Sequence, residues 1–319
     1  MEKSLITIGI TCFNSQKNIE KAVKSALNQS WRPIEIIIVD DHSSDNSFKI
    51  LKELEKKNTL ISLYRNKFNR GVAYSRNKII QNAKGDFIAF FDDDDESLPD
   101  RIKEQYVRIV DYEKSFARNK FVICHCARII NYYNKKIFFE NSIGENYGFK
   151  APSGIEVAQR ILYGKPLNNA YGSLPTCSQM ARLSTYKNLG GFDIFFKRSE
   201  DTEFIIRCAK EGSHFVGIKK ALVNQYMTKT KDKNFEIEIF YFKAILKKHN
   251  KLLTKKQFNF ANNWLELKNL YFQSKFKKLI LLLIYCFMTY PKYSFFRFYL
   301  GLRNLTKNMY YFKFHKDRY

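Results

Sequence analysis

Acidic side chains are in short supply in this chain: 31 Asp and Glu face 55 Lys and Arg, for a formal net charge of +24 at pH 7. An imbalance of that size points to a polyanionic partner, whether phosphates, nucleic acid or an anionic membrane. Cysteine is sparse too. Six occur, at 12, 124, 126, 177, 208 and 286, with no Cys-x-x-Cys pair. Cys124 and Cys126 flank His125 too closely for an ordinary zinc site. Scattered thiols fit a reducing cytosol, and the opening MEKSLITIGIT enters a strand at once with no cleavable leader pattern. The most apolar run, Leu279–Tyr290, falls short of the roughly 20 residues a bilayer span needs. No Gly-x-Ser-x-Gly elbow surrounds Ser43 and Ser44, so they read as helix capping and not as nucleophiles. Internal repeats and low-complexity linkers are absent. A hydrophobic content of 45% supports a full core and argues against wholesale disorder.

What is present is a regular alternation of strand and helix. Ile6–Phe13 is an apolar strand, and Asn14 and Ser15 offer an N-cap to a helix carrying Ile19, Ala22, Val23, Ala26 and Leu27. Ile34–Val39 is a continuous apolar run, as expected of a parallel strand covered on both faces. It ends at Asp40–Asp41. Ser43, Ser44 and Asp45 open the next helix, Leu60–Tyr64 is a third strand, residues 72–83 a helix, and Phe87–Phe91 a fourth strand. The pattern predicts a doubly wound α/β sheet, in which ligands bind at the carboxyl ends of the strands. Thr11–Asn14, Asp40–Asp41 and Asp92–Asp95 all lie at such ends and should converge on one crevice. Downstream, a helix runs from Pro99 to about 117, a strand spans Phe121–Ile130, and residues 131–152 read as loop. Further elements are a helix over Ser153–Tyr163, a strand over Thr176–Leu183 and a helix over Glu200–Lys210.

The run Asp92–Asp95 in GDFIAFFDDDDESLPDR carries the most chemistry. Four carboxylates in succession repel one another and raise one another's pKa values unless a cation neutralises them. A hard divalent ion with oxygen ligands, leaving positions for phosphate, suits such a cluster.

The segments ITIGITCFNSQKNIEKAVKSALNQSW, IEIIIVDDHSSDNS, NRGVAYSRNKIIQNAKGDFIAFFDDDDESLPDRI and GGFDIFFKRSEDTEFIIRCAKEG resemble, in order and spacing, family 2 glycosyltransferases of the GT-A fold. The resemblance covers about residues 4–215. It implies a GT-A nucleotide-diphospho-sugar transferase with a doubly wound mixed sheet, ending in a C-terminal helical extension. It also implies a donor site for a UDP-sugar. Thr11, Phe13 and Asn14 match the stretch lining the nucleobase, where Phe13 can stack on the ring. Asp40 matches the acceptor of the base's imide hydrogen, a preference for uracil or thymine, with Asp41 the structural member of that pair. Arg76 matches an arginine near the nucleotide, and Gly71 suits a positive φ at the turn before it. In the aspartate run the resemblance makes Asp94 the main ligand of Mn²⁺ or Mg²⁺, with Asp92 in the same shell or on the ribose. Asp93 is the variable middle residue of the donor-binding motif and Asp95 a supporting group. Four identical residues cannot fix their own register. Glu200–Asp201 matches the family's acidic pair, with Asp201 as the base that takes the acceptor hydroxyl's proton, a displacement that inverts configuration.

A charge shift in MTKTKDKN sets a boundary near 225–232, which gives a catalytic domain over 1–228 with a nucleotide-binding half (1–100) and an acceptor half (101–228). A basic, aromatic helical tail follows over 229–319. Residues 231–319 hold 19 Lys and Arg against 5 Asp and Glu. Such helices suit an anionic membrane surface, with packing on the catalytic domain or an oligomer interface as alternatives. The expected protein is a cytoplasmic enzyme, peripheral at the inner face of the cell membrane. It moves sugar to a hydroxyl of a surface-glycan or lipid-linked saccharide, in capsule, lipooligosaccharide or exopolysaccharide synthesis. The absence of tandem membrane spans and of Gln-x-x-Arg-Trp argues against a processive synthase. A basic nucleic-acid-binding protein is the second reading. The acidic crevice opposes it, no nucleic-acid motif appears, and no nucleic-acid partner is expected. A catalytically inactive scaffold is the third, opposed by intact Asp92, Asp94 and Asp201.

Overall fold

In a computed structural model the described residues are 3–132, 137–170, 172–228, 235–307 and 309–310. They divide into two compact units, one of residues 1–154 and 168–228, the other of 155–167 and 229–319. Residues 155–167, which the sequence reading placed in the acceptor half, therefore belong to the second unit. The charge shift at 229–234 that marks the expected boundary lies outside the described residues.

The first unit is built on a nine-stranded mixed sheet. In chain order its strands are β1 (Ile6–Cys12), β2 (Ile34–Asp40), β3 (Ile61–Arg65), β4 (Phe87–Asp92), β5 (Glu96–Ser97), β6 (Val122–Asn131), β7 (Ile137–Glu140), β8 (Gln179–Arg182) and β9 (His214–Tyr226). The order across the sheet is β3-β2-β1-β4-β8-β6-β9-β5, with β7 beside β6. β1 to β4 are mutually parallel; β8 enters antiparallel to both β4 and β6, and β6 and β9 run parallel. The helices of this unit are α1 (Ile19–Leu27), α2 (Ser47–Lys57), α3 (Val72–Asn82) and α4 (Arg101–Tyr112), followed after α5 by α6 (Leu183–Asn188) and α7 (Glu200–Lys210). The second unit holds α5 (Ile155–Tyr163), α8 (Phe235–Lys248), α9 (Lys255–Phe272), α10 (Phe276–Thr289) and α11 (Pro291–Arg303).

Local chemistry explains these elements. β2 is buried almost throughout because helices cover both of its faces, so every position can be apolar. Gly9 in β1 lets α3 lie close, since a Cβ there would come within 2.7 Å of Ile79 Cγ2. That approach fixes where α3 presents Arg76. The helix after β1 starts later than its expected cap. Asn14 takes a positive φ of 51°, tolerable for asparagine, and α1 begins at Ile19. The Ser15 carbonyl accepts from the amides of Asn18 and Ile19 at 2.9 Å each. Asp45, one residue before the N-cap Asn46 of α2, accepts from the first helical amide, Ser47 N, at 2.9 Å.

Strand β9 has no counterpart in the sequence reading. Two extra residues bulge out opposite the Cys126–Ala127 step of β6, and Lys219 and Lys220 are both exposed there. Consecutive outward lysines break the two-residue alternation by which a strand is recognised.

His125 in β6 is fully buried, and burial, aided by the nearby charges of Arg128 and Arg101, pushes its pKa down to about 3. The ordinary value is about 6.5. A depressed histidine pKa means that the unfolded chain takes up the proton first. The neutral ring's contribution is complete above about pH 6.5 and is lost as pH falls toward 3. By pH 4.5 the linked loss is about 2–3 kcal/mol. Urea midpoints at pH 7 and pH 4.5 test this. The native protein should lose that much more stability than His125→Gln, and parallel losses in the two proteins would count against it.

Candidate functional site

The carboxyl ends of β1, β2 and β4 meet in register. Thr11 lies beside Asp92 on one side and Val39 on the other, and Cys12 pairs with Asp40. Thr11, Asp40 and Asp92 are thus brought together at one end of the parallel strands. The loop after β1 is stitched down there. Phe13 N donates to Asp93 Oδ2 at 3.0 Å and Ser15 Oγ to the Asp93 carbonyl at 3.0 Å. Asn14 Oδ1 accepts from Ser44 N at 2.8 Å, which binds the loop after β1 to the loop after β2. Phe13 projects its ring, 48% exposed, beside this anchor. Asp93 and Asn14, both expected to bind the donor, are engaged in holding these loops.

Asp40 and Asp41 separate into different tasks. Asp41 accepts from Asn66 Nδ2, Arg70 N and Gly71 N at 2.7, 2.9 and 2.7 Å, and so shapes the turn into α3. Gly71 has φ +89° there. Asp40 Oδ2 accepts from Ser43 N at 3.1 Å and pairs with Arg65 Nε at 3.1 Å. Its Oδ1 is buried and has no hydrogen-bond partner.

The aspartate run spreads over distinct surroundings. Asp92 ends β4 and meets Arg76 Nη2 at 3.3 Å. Asp94 Oδ2 accepts from Thr228 Oγ1 at 2.7 Å. Asp95 is buried; its Oδ1 accepts from Tyr226 N at 2.9 Å, and Oδ2 has no hydrogen-bond partner. Burial, then the charges of Asp94 and Asp92, hold the Asp95 carboxyl well above the usual range. Among the described residues the donor atoms of Asp92, Asp95 and Cys177 lie within 4.8 Å of one another. Asp94, the expected principal metal ligand, is not in that group. Four identical residues had no way to reveal that the buried one is the last. Burial raises the Cys177 thiol pKa, so the sulfur stays protonated and is a poor ligand for a hard ion. Two carboxyl groups this close, one of them with a buried unpaired oxygen, fit a hard divalent cation.

Arg76 links this cluster to the second acidic group. It is buried, with Nη1 2.5 Å from Glu200 Oε1 and its guanidinium 5.4 Å from the Phe192 ring centre. Burial alone would lower its pKa, but Glu200, Asp92 and Asp201 together outweigh that and raise it. Glu200 opens α7, and burial raises its carboxyl pKa against the opposing pull of Arg76. Asp201 follows in the same first turn, partly exposed. Its Oδ1 accepts from Thr202 N at 2.6 Å and from Thr202 Oγ1 at 3.3 Å.

Asn77, which the sequence reading passed over, explains how α7 comes to face α3. Its side-chain amide donates to the Phe192 carbonyl and accepts from Phe192 N, both at 2.7 Å. Gly191 (φ +68°) leaves room for it, since a Cβ there would lie 2.4 Å from Asn77 Oδ1. The adjacency of Asn77 to Arg76 was the available signal. Asp95 was read only as a supporting group, and Cys177 gave no signal, because its place beside Asp95 depends on burial.

Residues 7–155 match the sequence family described as Glycosyl transferase family 2. An uncharacterized glycosyltransferase of Haemophilus influenzae is 25% identical over 63% of the chain and 91% of its own length. The UDP-Glc:alpha-D-GlcNAc-diphosphoundecaprenol beta-1,3-glucosyltransferase WfaP of Escherichia coli is 31% identical over 50% of the chain. Here the chain spans only 56% of the relative. Among solved structures, residues 1–349 of Staphylococcus aureus TarS superpose with a TM-score of 0.55 at 18% identity, covering 84% of this chain and 72% of that one. The same TarS segment has also been solved in complex with UDP-GlcNAc. At that identity the likeness establishes the shared fold, a mixed α/β sheet of the GT-A kind.

Proposed function

We propose, starting from the family 2 glycosyltransferase domain that the chain carries at residues 7–155, that it transfers one sugar from a UDP-sugar to a hydroxyl of a lipid-linked saccharide, with inversion. The observation that carries this reading is the bridge from Asp92 through Arg76 to Glu200, with Asp201 next in the chain. It ties a cation-binding carboxylate to a candidate base at the carboxyl end of the parallel strands, where such sheets bind ligands.

The unpaired Asp40 Oδ1 is an acceptor suited to the imide N–H of uracil, which supports a uridine donor. Phe13 supplies an exposed ring for stacking. Asp92 and Asp95 are the residues that would hold Mg²⁺ or Mn²⁺. When bound, such a cation stabilises negative charge on the diphosphate leaving group. Asp201 accepts the proton of the acceptor hydroxyl as its oxygen bonds to the anomeric carbon. The bond from that carbon to the diphosphate oxygen breaks, and its electron pair leaves with the nucleotide. A carboxylate is a weak base for an alcohol, so its contribution depends on receiving the proton as the new bond forms. Arg76 pairs with Glu200 and holds it beside Asp201. Relatives named for UDP-Glc and diphosphoundecaprenol acceptors support the donor and acceptor classes. Transfer to a lipid-linked saccharide would place its action in surface-glycan synthesis at the inner face of the cell membrane.

A donor screen tests the reading. Nucleotide release is followed for UDP-, GDP- and ADP-sugars with a diphosphoundecaprenol-linked saccharide, in Mn²⁺, in Mg²⁺ and in EDTA. Release from a UDP-sugar that EDTA abolishes and either cation restores is the expected result. Undiminished release in EDTA, or preference for a purine donor, would count against it.

A further inference from the structure

The second unit ends in two helices, α10 and α11, that leave many of their large apolar side chains exposed. Cys286 is the one buried residue of the 14-residue α10. Ile280, Leu281, Ile284 and Met288 of that helix are 54, 69, 55 and 80% exposed. On α11, Phe295, Phe298, Tyr299 and Leu302 are exposed at spacings that form a single stripe. Phe287 packs on Phe295 and Phe298 with ring centres 5.2 and 5.9 Å apart, so the two helices join in one apolar surface. A contiguous patch of this kind marks an interaction site.

Charge identifies the partner. From Leu267 to Lys316 there are ten Lys and Arg and no Asp or Glu. Lys277 and Lys278 stand exposed at the start of α10 and Lys292 at the start of α11, and neither first turn carries an acid. Cations at a helix N-terminus oppose the helix dipole, and a helix meeting only water more often carries acids there. Anions outside the protein would offset that cost. A second copy of the same face would set lysines against lysines, whereas an anionic bilayer offers negative headgroups above an apolar layer. Among the described residues no helix is long and apolar enough to cross a membrane, so these helices would lie along it.

We propose that α10 and α11 dock on an anionic lipid bilayer, with the exposed apolar stripes entering the acyl boundary and Lys275, Lys277, Lys278 and Lys292 meeting the headgroups. The inference names a partner for the lipid-linked acceptor reading and rests on the surface of these helices alone. Flotation of the full chain with phosphatidylcholine vesicles, with and without phosphatidylglycerol, tests it. Binding should require phosphatidylglycerol and weaken with salt. Replacing the four lysines by Gln should weaken it about 100-fold or more. The variant Leu281→Ser, Ile284→Ser, Met288→Ser, Leu302→Ser should lose binding to a similar degree while keeping its urea midpoint, because the replaced side chains face solvent. Wild-type flotation by either variant would overturn the proposal. So would an apolar variant that instead converts a dimer to a monomer by light scattering. Nucleotide release from soluble UDP-sugar reads the catalytic assignment separately, and should be the same in both variants as in the native chain.

Discussion

Asp201→Asn should lower the rate of sugar transfer about a thousandfold while leaving donor affinity within a few-fold of the native value. Loss of a positioned general base costs on the order of 10²–10⁴ in rate. Asparagine keeps the shape of the side chain and can still accept from Thr202 N through its carbonyl oxygen, the contact that orients Asp201. What it loses is the capacity to take a proton. The donor contacts proposed at Thr11, Phe13 and Asp40 lie on other elements, so calorimetric titration with UDP should give an unchanged affinity. Transfer is measured by product formation at saturating donor. A variant that keeps a tenth or more of native turnover would remove Asp201 from the role of base. Collapse of UDP affinity along with rate would assign it a binding role instead. The Glu200→Gln variant separates the neighbours. Glu200 is buried against Arg76 and not presented to an incoming hydroxyl, so its loss should act on stability and on the placing of Asp201.

The nucleotide-binding half was legible because its signals are local. Apolar runs ending in acid at Asp40 and Asp92 mark buried parallel strands that reach the surface, and the structure puts those ends on either side of β1. The register within Asp92–Asp95 was not legible, because it depends on which carboxylate the sheet covers. Tyr226, far along the chain at the end of β9, donates its backbone amide to Asp95 and so singles it out. The strand that delivers Tyr226 was itself hidden by the outward pair Lys219–Lys220. Arg76 shows the same limit. Its position in the motif suggested a nucleotide contact, whereas its partners Glu200 and Asp92 come from separate elements. Asp93 and Asn14 were read as donor contacts because they sit in the motifs, and their hydrogen bonds to neighbouring loops appear only once the chain is folded.

Arg76→Met should destabilise the first unit by about 3–5 kcal/mol, the usual cost of removing one partner of a buried ion pair and leaving the other charged. Methionine keeps much of the aliphatic stem and loses the guanidinium that sits 5.8 and 5.4 Å from the Phe90 and Phe192 ring centres, so the lost charge dominates the effect. Glu200 is then the stranded group. Burial already raises its pKa, and Arg76 is the main influence opposing that rise. Without Arg76 the carboxyl moves further up. For a carboxylate whose folded pKa lies above its unfolded one, the penalty is complete above the folded pKa and is relieved as pH falls through it toward the unfolded value. The deficit of Arg76→Met, measured against the native protein by urea midpoint, should therefore shrink from pH 8 to pH 5. Adding Glu200→Gln removes the stranded charge. The double variant should be more stable than Arg76→Met at pH 8, and its deficit should be flat with pH. Additive losses would mean that the two side chains do not act as a pair. A pH-independent deficit in the single variant would mean that Glu200 is not the group left unpaired. Sugar transfer should stay low in both, because neither restores the link from Asp92 to the turn that carries Asp201.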